Sequence, residues 1–216
     1  MSNDQTLGLL SREAILRLLD EALQSAPAGE AAVAVAVFDI DHFRSLNVDY
    51  GEEFAEQLVQ RVGEVLVRTY SANSAIGRHT TDEFLIISTG ETAARAATLA
   101  ESARKEVESL VLRPLNAQEN AFVHATVSAG VAMYPSDANT RAQLLHKAAE
   151  ALQRAKQTGK NQVCLASDIE MVPKTVRIPK GQVVRLAELV AQTGHPEMML
   201  VREALDDLFC KYSRQG

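Results

Sequence analysis

Two short acidic runs in this chain carry residue types suited to phosphoryl chemistry. Phe38-Asp39-Ile40-Asp41-His42-Phe43 follows an apolar stretch, and Arg78-His79-Thr80-Thr81-Asp82-Glu83-Phe84 joins two strand-like segments. Where those strands lie side by side, Asp39, Asp82 and Glu83 meet at one end of a sheet. Carboxylates that close repel and resist full ionisation unless a divalent cation neutralises them, which is how two-metal nucleotidyl transferases hold a triphosphate. A lone Asp at a strand end also serves as a turn former or helix cap. The metal reading therefore rests on the three acids together.

Hydrophobic periodicity supplies the elements that must carry these runs. Ser11 is placed to cap a helix with Ile15, Leu18, Leu19 and Leu23 on one face. Ala31 to Ile40 lacks alternation, as a strand covered on both faces would. Gly51 precedes a helix bearing Phe54, Leu58, Val62, Val65 and Leu66, and Ile76–His79 and Phe84–Ser88 read as a hairpin. An Ala-rich helix over 91–111, a strand region from Phe122 to Tyr134 interrupted at Gly130, a helix capped by Asn139 or Thr140 and stopped by Gly159, and a last strand over Gln162–Leu165 complete the pattern. The order, helix then β-α-β-β-α-β-α-β, predicts an α/β (α+β palm) fold: a mixed central sheet flanked by helices, close to the palm of polymerases and cyclases.

The 216 residues suffice for one well-buried domain and a small extra module. The formal charge of −6 hides an asymmetry: Pro173 to Gly216 holds seven Lys/Arg against five Asp/Glu, which is +2 and leaves −8 for residues 1–172. Lys174, Arg177 and Lys180 form a basic stripe able to receive a polyanion, whereas the acidic body repels one. Cys164 and Cys210 fit neither a disulfide framework nor a Cys/His zinc pattern. No window approaches the roughly 20 apolar residues of a membrane span, and Asp4 and Glu13 replace a basic leader, so a cytoplasmic protein without membrane contact is expected.

The acidic runs, with several other segments in the right order, resemble the GGDEF family of diguanylate cyclases over about residues 5–166. Thr6-Leu7-Gly8-Leu9-Leu10-Ser11-Arg12 looks like the family's opening turn, Thr126-Val127-Ser128-Ala129-Gly130-Val131 is similar to its penultimate core strand, and Ala155-Lys156-Gln157-Thr158-Gly159-Lys160-Asn161 resembles its closing element. The resemblance implies two facing domains, each holding GTP and Mg2+. Asp39 and Asp82 would be metal ligands, and Glu83 would assist the metal or deprotonation as the catalytic residue. Lys156 and Lys160 would meet phosphates, although both also complement the C-terminus of their helix. Asn47 and Glu56 would read the guanine edge. His42 and His79 read as surface or packing residues, and Phe43, Phe54 and Phe84 as core.

Departures from the family pattern cluster around the phosphates. Thr80 and Thr81 stand where the signature turn has glycines, which often take φ values a side chain forbids. Forcing threonine to positive φ costs on the order of 1–3 kcal/mol, and its bulk takes space a phosphate needs. A reacting geometry displaced by about 1 Å loses roughly 100-fold in rate, so absent or very slow cyclisation is expected. The family's Arg-x-x-Asp inhibitory site maps to Ser71-Ala72-Asn73-Ser74, which has neither charge, so no inhibitory site is expected.

After a linker at 167–173, residues 174–216 read as strand, helix, Gly turn and helix, which resembles the ribbon-helix-helix DNA-binding family. By that resemblance Thr175 and Arg177 would face bases of double-stranded DNA, with Lys174 or Lys180 on phosphate, in a homodimer. The sequence reading is a transcription regulator: a weak or inactive GGDEF domain at 1–166, sensing GTP or cyclic di-GMP, coupled to a DNA-binding module. An active cyclase and a ligand-free interaction scaffold are the alternatives.

Overall fold

Every residue of β1 (Val33–Ile40) is buried, as its unbroken apolar run demands of a strand covered on both faces. In this computed structural model the described residues are 8–26, 33–70, 73–114, 122–168, 176, 178–193, 197, 200, 201, 204, 205, 208, 211 and 212. The chain divides into two compact units, Met1–Ile169 and Glu170–Gly216.

The first unit runs α1 (Arg12–Ser25), β1, α2 (Phe43–Tyr50), α3 (Glu52–Thr69), β2 (Ser74–Arg78), β3 (Glu83–Thr89), α4 (Ala93–Glu108), β4 (Val127–Tyr134), α5 (Arg141–Gln157) and β5 (Val163–Leu165). Its five strands form one sheet in the order β2-β3-β1-β4-β5. All neighbours are antiparallel except β4 and β5. The mixed palm-like sheet flanked by helices is the expected architecture.

Alternation along β1 splits the interior in two. Ala34, Ala36, Phe38 and Ile40 join Phe54, Leu58 and Val62 of α3 and Ala100 and Ala103 of α4 on one face. Val33, Val35 and Val37 join Ile15 and Leu19 of α1 and Leu144, Ala148 and Leu152 of α5 on the other. The helix starts use the anticipated chemistry: the Ser11 hydroxyl accepts from the Ala14 N–H at 3.3 Å, and Thr140, rather than Asn139, accepts from the Gln143 N–H at 3.3 Å.

Three details correct the sequence reading. The segment Phe43–Tyr50 is helical although no helix was anticipated there; it is short and mostly polar, and its N-cap His42 makes no side-chain capping bond. β4 is not interrupted at Gly130, which pairs with Val37 and Cys164. A Cβ at Gly130 would meet the Leu152 N at 2.2 Å, so glycine is there to let α5 close on the sheet. Phe43 is only partly buried, whereas Phe54 and Phe84 are core.

In the second unit, α6 (Lys180–Thr193) has no buried residue, and the described residues from 197 to 212 are helical. Lys174, Thr175 and Arg177, the expected recognition ribbon, lie outside the described residues. Among the described residues no helix is long and apolar enough to cross a membrane.

Candidate functional site

The antiparallel register of β1 and β3 sets Asp39 directly opposite Glu83, and on the other side Asp39 faces Ser128 of β4. The two acidic runs thus do meet at one end of the sheet. From the last turn of α5, Lys156 Nζ reaches Asp39 Oδ2 at 2.6 Å. Even so, the Asp39 carboxyl is pushed up to about 6, because burial and the nearby Asp82 and Glu83 carboxylates outweigh the hydrogen bond and charge of Lys156; burial is the largest cause.

Asp41, also in the first acidic run, is a further residue of the site, one that the sequence does not mark out. It is 3% exposed and accepts from Thr126 Oγ1 at 2.8 Å, Ser128 Oγ at 2.7 Å and the Asn161 N–H at 3.0 Å. It therefore ties the end of β1 to β4 and to the turn after α5. The available signal was the alternating Thr126 and Ser128 on a strand due to face it. Only the strand order shows that they do.

The hairpin tip differs from expectation. Among the described non-glycine residues only His42, Lys160 and Asn161 have positive φ. Thr80 and Thr81 are not among them, so the predicted backbone strain is absent. The tip closes with ordinary geometry: the N–H groups of His79 and Thr80 donate to the Glu83 carbonyl at 2.8 and 3.3 Å. Thr80 Oγ1 lies 3.4 Å from Asp82 Oδ1. The threonines at the tip thus differ from glycines in side-chain bulk and not in backbone strain. At the hairpin's base, burial pushes the His79 imidazole pKa down, with Arg12 adding to the effect, and its buried Nδ1 has no hydrogen-bond partner.

The two expected base-reading residues lie on consecutive helices, Asn47 on α2 and Glu56 on α3. Asn47 is exposed on α2. Glu56, near the start of α3, is gripped through both oxygens by Arg78, at 3.1 and 3.2 Å, and the same guanidinium donates to the Thr81 carbonyl at 2.9 Å. Lys160 Nζ stands 3.3 Å from His42 Nε2, beside the uncapped start of α2. A helix N-terminus with a lysine beside it favours anions. Of the segment matched to the inhibitory site, residues 71 and 72 lie outside the described residues, and Ser74 shares a hydroxyl contact of 2.8 Å with Ser88. Lys180 is the exposed first residue of α6.

No three His, Cys, Asp or Glu side chains among the described residues form a metal cage. Mg2+ ordinarily takes only one or two protein carboxylates, with water and substrate phosphates completing the shell. Asp39 with its neighbours Asp82 and Glu83 fits that donor chemistry, since those two carboxylates are close enough to disfavour ionisation of Asp39.

The family model described as "Diguanylate cyclase, GGDEF domain" matches residues 1–162. The bifunctional diguanylate cyclase/cyclic di-GMP phosphodiesterase MucR of Pseudomonas aeruginosa is 32% identical over 146 residues, which is 68% of this chain and 21% of MucR. Response regulator PleD of Caulobacter vibrioides is 27% identical over 160 residues, 74% of this chain and 35% of PleD. Among solved structures, the GGDEF domain of DgcB from Caulobacter crescentus in complex with c-di-GMP matches at TM-score 0.68 and 31% identity, over 74% of this chain and 92% of that one. With the acidic ends of β1 and β3, the closing lysines and the palm topology all in place, this chain belongs to the GGDEF diguanylate cyclase domain family.

Proposed function

We propose that this protein is a nucleotide-responsive regulator whose GGDEF domain binds a guanine nucleotide and cyclises it slowly or not at all. The observation that carries the reading is the Asp39–Lys156 pair standing beside a hairpin whose tip bears two β-branched side chains. The charges needed to hold a nucleotide with its metal are kept, while the bare backbone that would seat a triphosphate closely is not. Asp39, Asp82 and Glu83 would hold Mg2+, which when bound neutralises phosphate charge. Lys156 and Lys160 would bind phosphate oxygens, and Asn47 and Glu56 would orient the base.

Isothermal titration with GTP and with cyclic di-GMP, with and without Mg2+, tests the binding half. The expected result is Mg2+-dependent binding of GTP; no heat with either nucleotide would leave an interaction scaffold. Incubation with GTP and Mg2+ tests the other half. Cyclic di-GMP formed at a rate that collapses in Glu83→Gln would establish an active cyclase instead.

The output is assigned to residues 174–216, acting as a dimeric ribbon-helix-helix module on double-stranded DNA. Supporting this, Val183, Val184, Leu189, Leu205 and Leu208 are each about half exposed on short helices, leaving apolar surface for a second copy to cover. Nucleotide binding would then bias the arrangement of two bodies and so of two ribbons. A mobility shift that weakens with salt and is lost in Arg177→Ala is expected. No shift on any duplex at low salt would reject this half.

A further inference from the structure

The turn that presents Lys160 is improbable by itself. Lys160 and Asn161 are consecutive non-glycine residues at φ 63° and 48°, a left-handed pair that L-residues rarely adopt unless the surroundings hold it. The surroundings do so through a network that reaches into α4. Arg104, only 8% exposed, donates to Asn161 Oδ1 at 2.7 Å, while Asn161 Nδ2 donates to Glu108 Oε1 at 2.7 Å. Arg104 is fixed in turn by Glu101, at 2.8 and 2.9 Å, and by Glu108 at 2.8 Å. The Asn161 N–H closes the circuit on Asp41 at 3.0 Å.

Both ends of the Asn161 amide and its backbone N–H are thereby committed. The residue immediately before it carries the ammonium group that lies at His42, at the start of α2. Released from Arg104 and Glu108, the turn would relax toward ordinary negative φ and carry Lys160 away from that helix start. Arg104 makes four donations here, two of them as a fork on Glu101; a lysine ammonium has three donors and no planar fork, and methionine has no donor.

We propose that Arg104, through Asn161, is a positioning residue for phosphate binding: it holds the Lys160 ammonium where the phosphates of the nucleotide lie. This rests on the nucleotide reading of the site. The test is a double-mutant cycle on the full chain, with GTP and Mg2+ as the probe, across a salt series. Lys160→Ala is expected to weaken GTP about tenfold and to flatten the salt dependence. Arg104→Met should do the same, and the double variant should lose no more than either single one. Glu108→Ala, at a more exposed position, should show the same loss in smaller measure should Arg104→Met fold poorly.

Affinity and salt dependence unchanged in Arg104→Met and Glu108→Ala, with only the urea midpoint lowered, would reduce the network to scaffolding and overturn the proposal while leaving the nucleotide site intact. Losses that multiply in the double variant would overturn it equally. Absence of GTP binding in the parent would remove the nucleotide reading and this inference with it.

Discussion

Lys156 and Asp39, 117 positions apart in sequence, form a contact of 2.6 Å between the last turn of α5 and the end of β1. The pairing does not restore an ordinary aspartate, because burial and two neighbouring carboxylates dominate. With the carboxyl at about 6 in the fold against an ordinary value of 3.8, the folded protein binds more protons than the unfolded chain between those values. Asp39's contribution to stability is therefore present below about pH 4 and lost as pH rises through about 6. Urea midpoints should fall across that window more steeply in the parent than in Asp39→Asn. The differential effect should be about 1–3 kcal/mol, and parallel curves would refute the assignment.

Gly130 faces the backbone of α5 so closely that a Cβ would lie 2.1 Å from the Ala148 carbonyl oxygen. Because the obstacle is backbone, no rotamer change relieves it. Gly130→Ala should force α5 off the sheet and cost about 3 kcal/mol or more. A thermal melt unchanged within a degree would show that the approach is looser than described.

Asp41 serves three donors at a nearly inaccessible position. Asp41→Ala should cost about 3 kcal/mol, because it leaves those donors without their acceptor. Asp41→Asn should cost less: an oxygen kept at the Oδ2 position still accepts from Thr126 and the Asn161 N–H, and the Ser128 hydroxyl can turn to accept from the new amide. Denaturant titration of the two variants gives the ranking, and equal losses would mean that the site can admit water.

Thr80 and Thr81 lie outside the positive-φ set, so replacing them with glycine relieves no strain. The pair Thr80→Gly and Thr81→Gly should lower stability by about 0.5–1 kcal/mol each through unfolded-state entropy. At the same time GTP binding, and any turnover, should rise as the bulk is removed. A gain in stability would show that the threonines are strained after all.

The sequence alone determined the palm. β1 reads as a doubly covered strand because its apolar run does not alternate, and all eight of its residues are buried. The hairpin announces itself by its turn residues, and the capping hydroxyls of Ser11 and Thr140 sit where helix starts need acceptors. These are local or periodic properties, and they survive without knowledge of what packs on what. Tertiary structure decided the rest. That Glu56 is held by Arg78, and that Asp41, Arg104 and Asn161 share one network, depend on partners brought from 22 to 120 residues away. Spacing along the chain does not encode such distances. Strand register and helix docking do, because they fix which buried polar groups must satisfy one another.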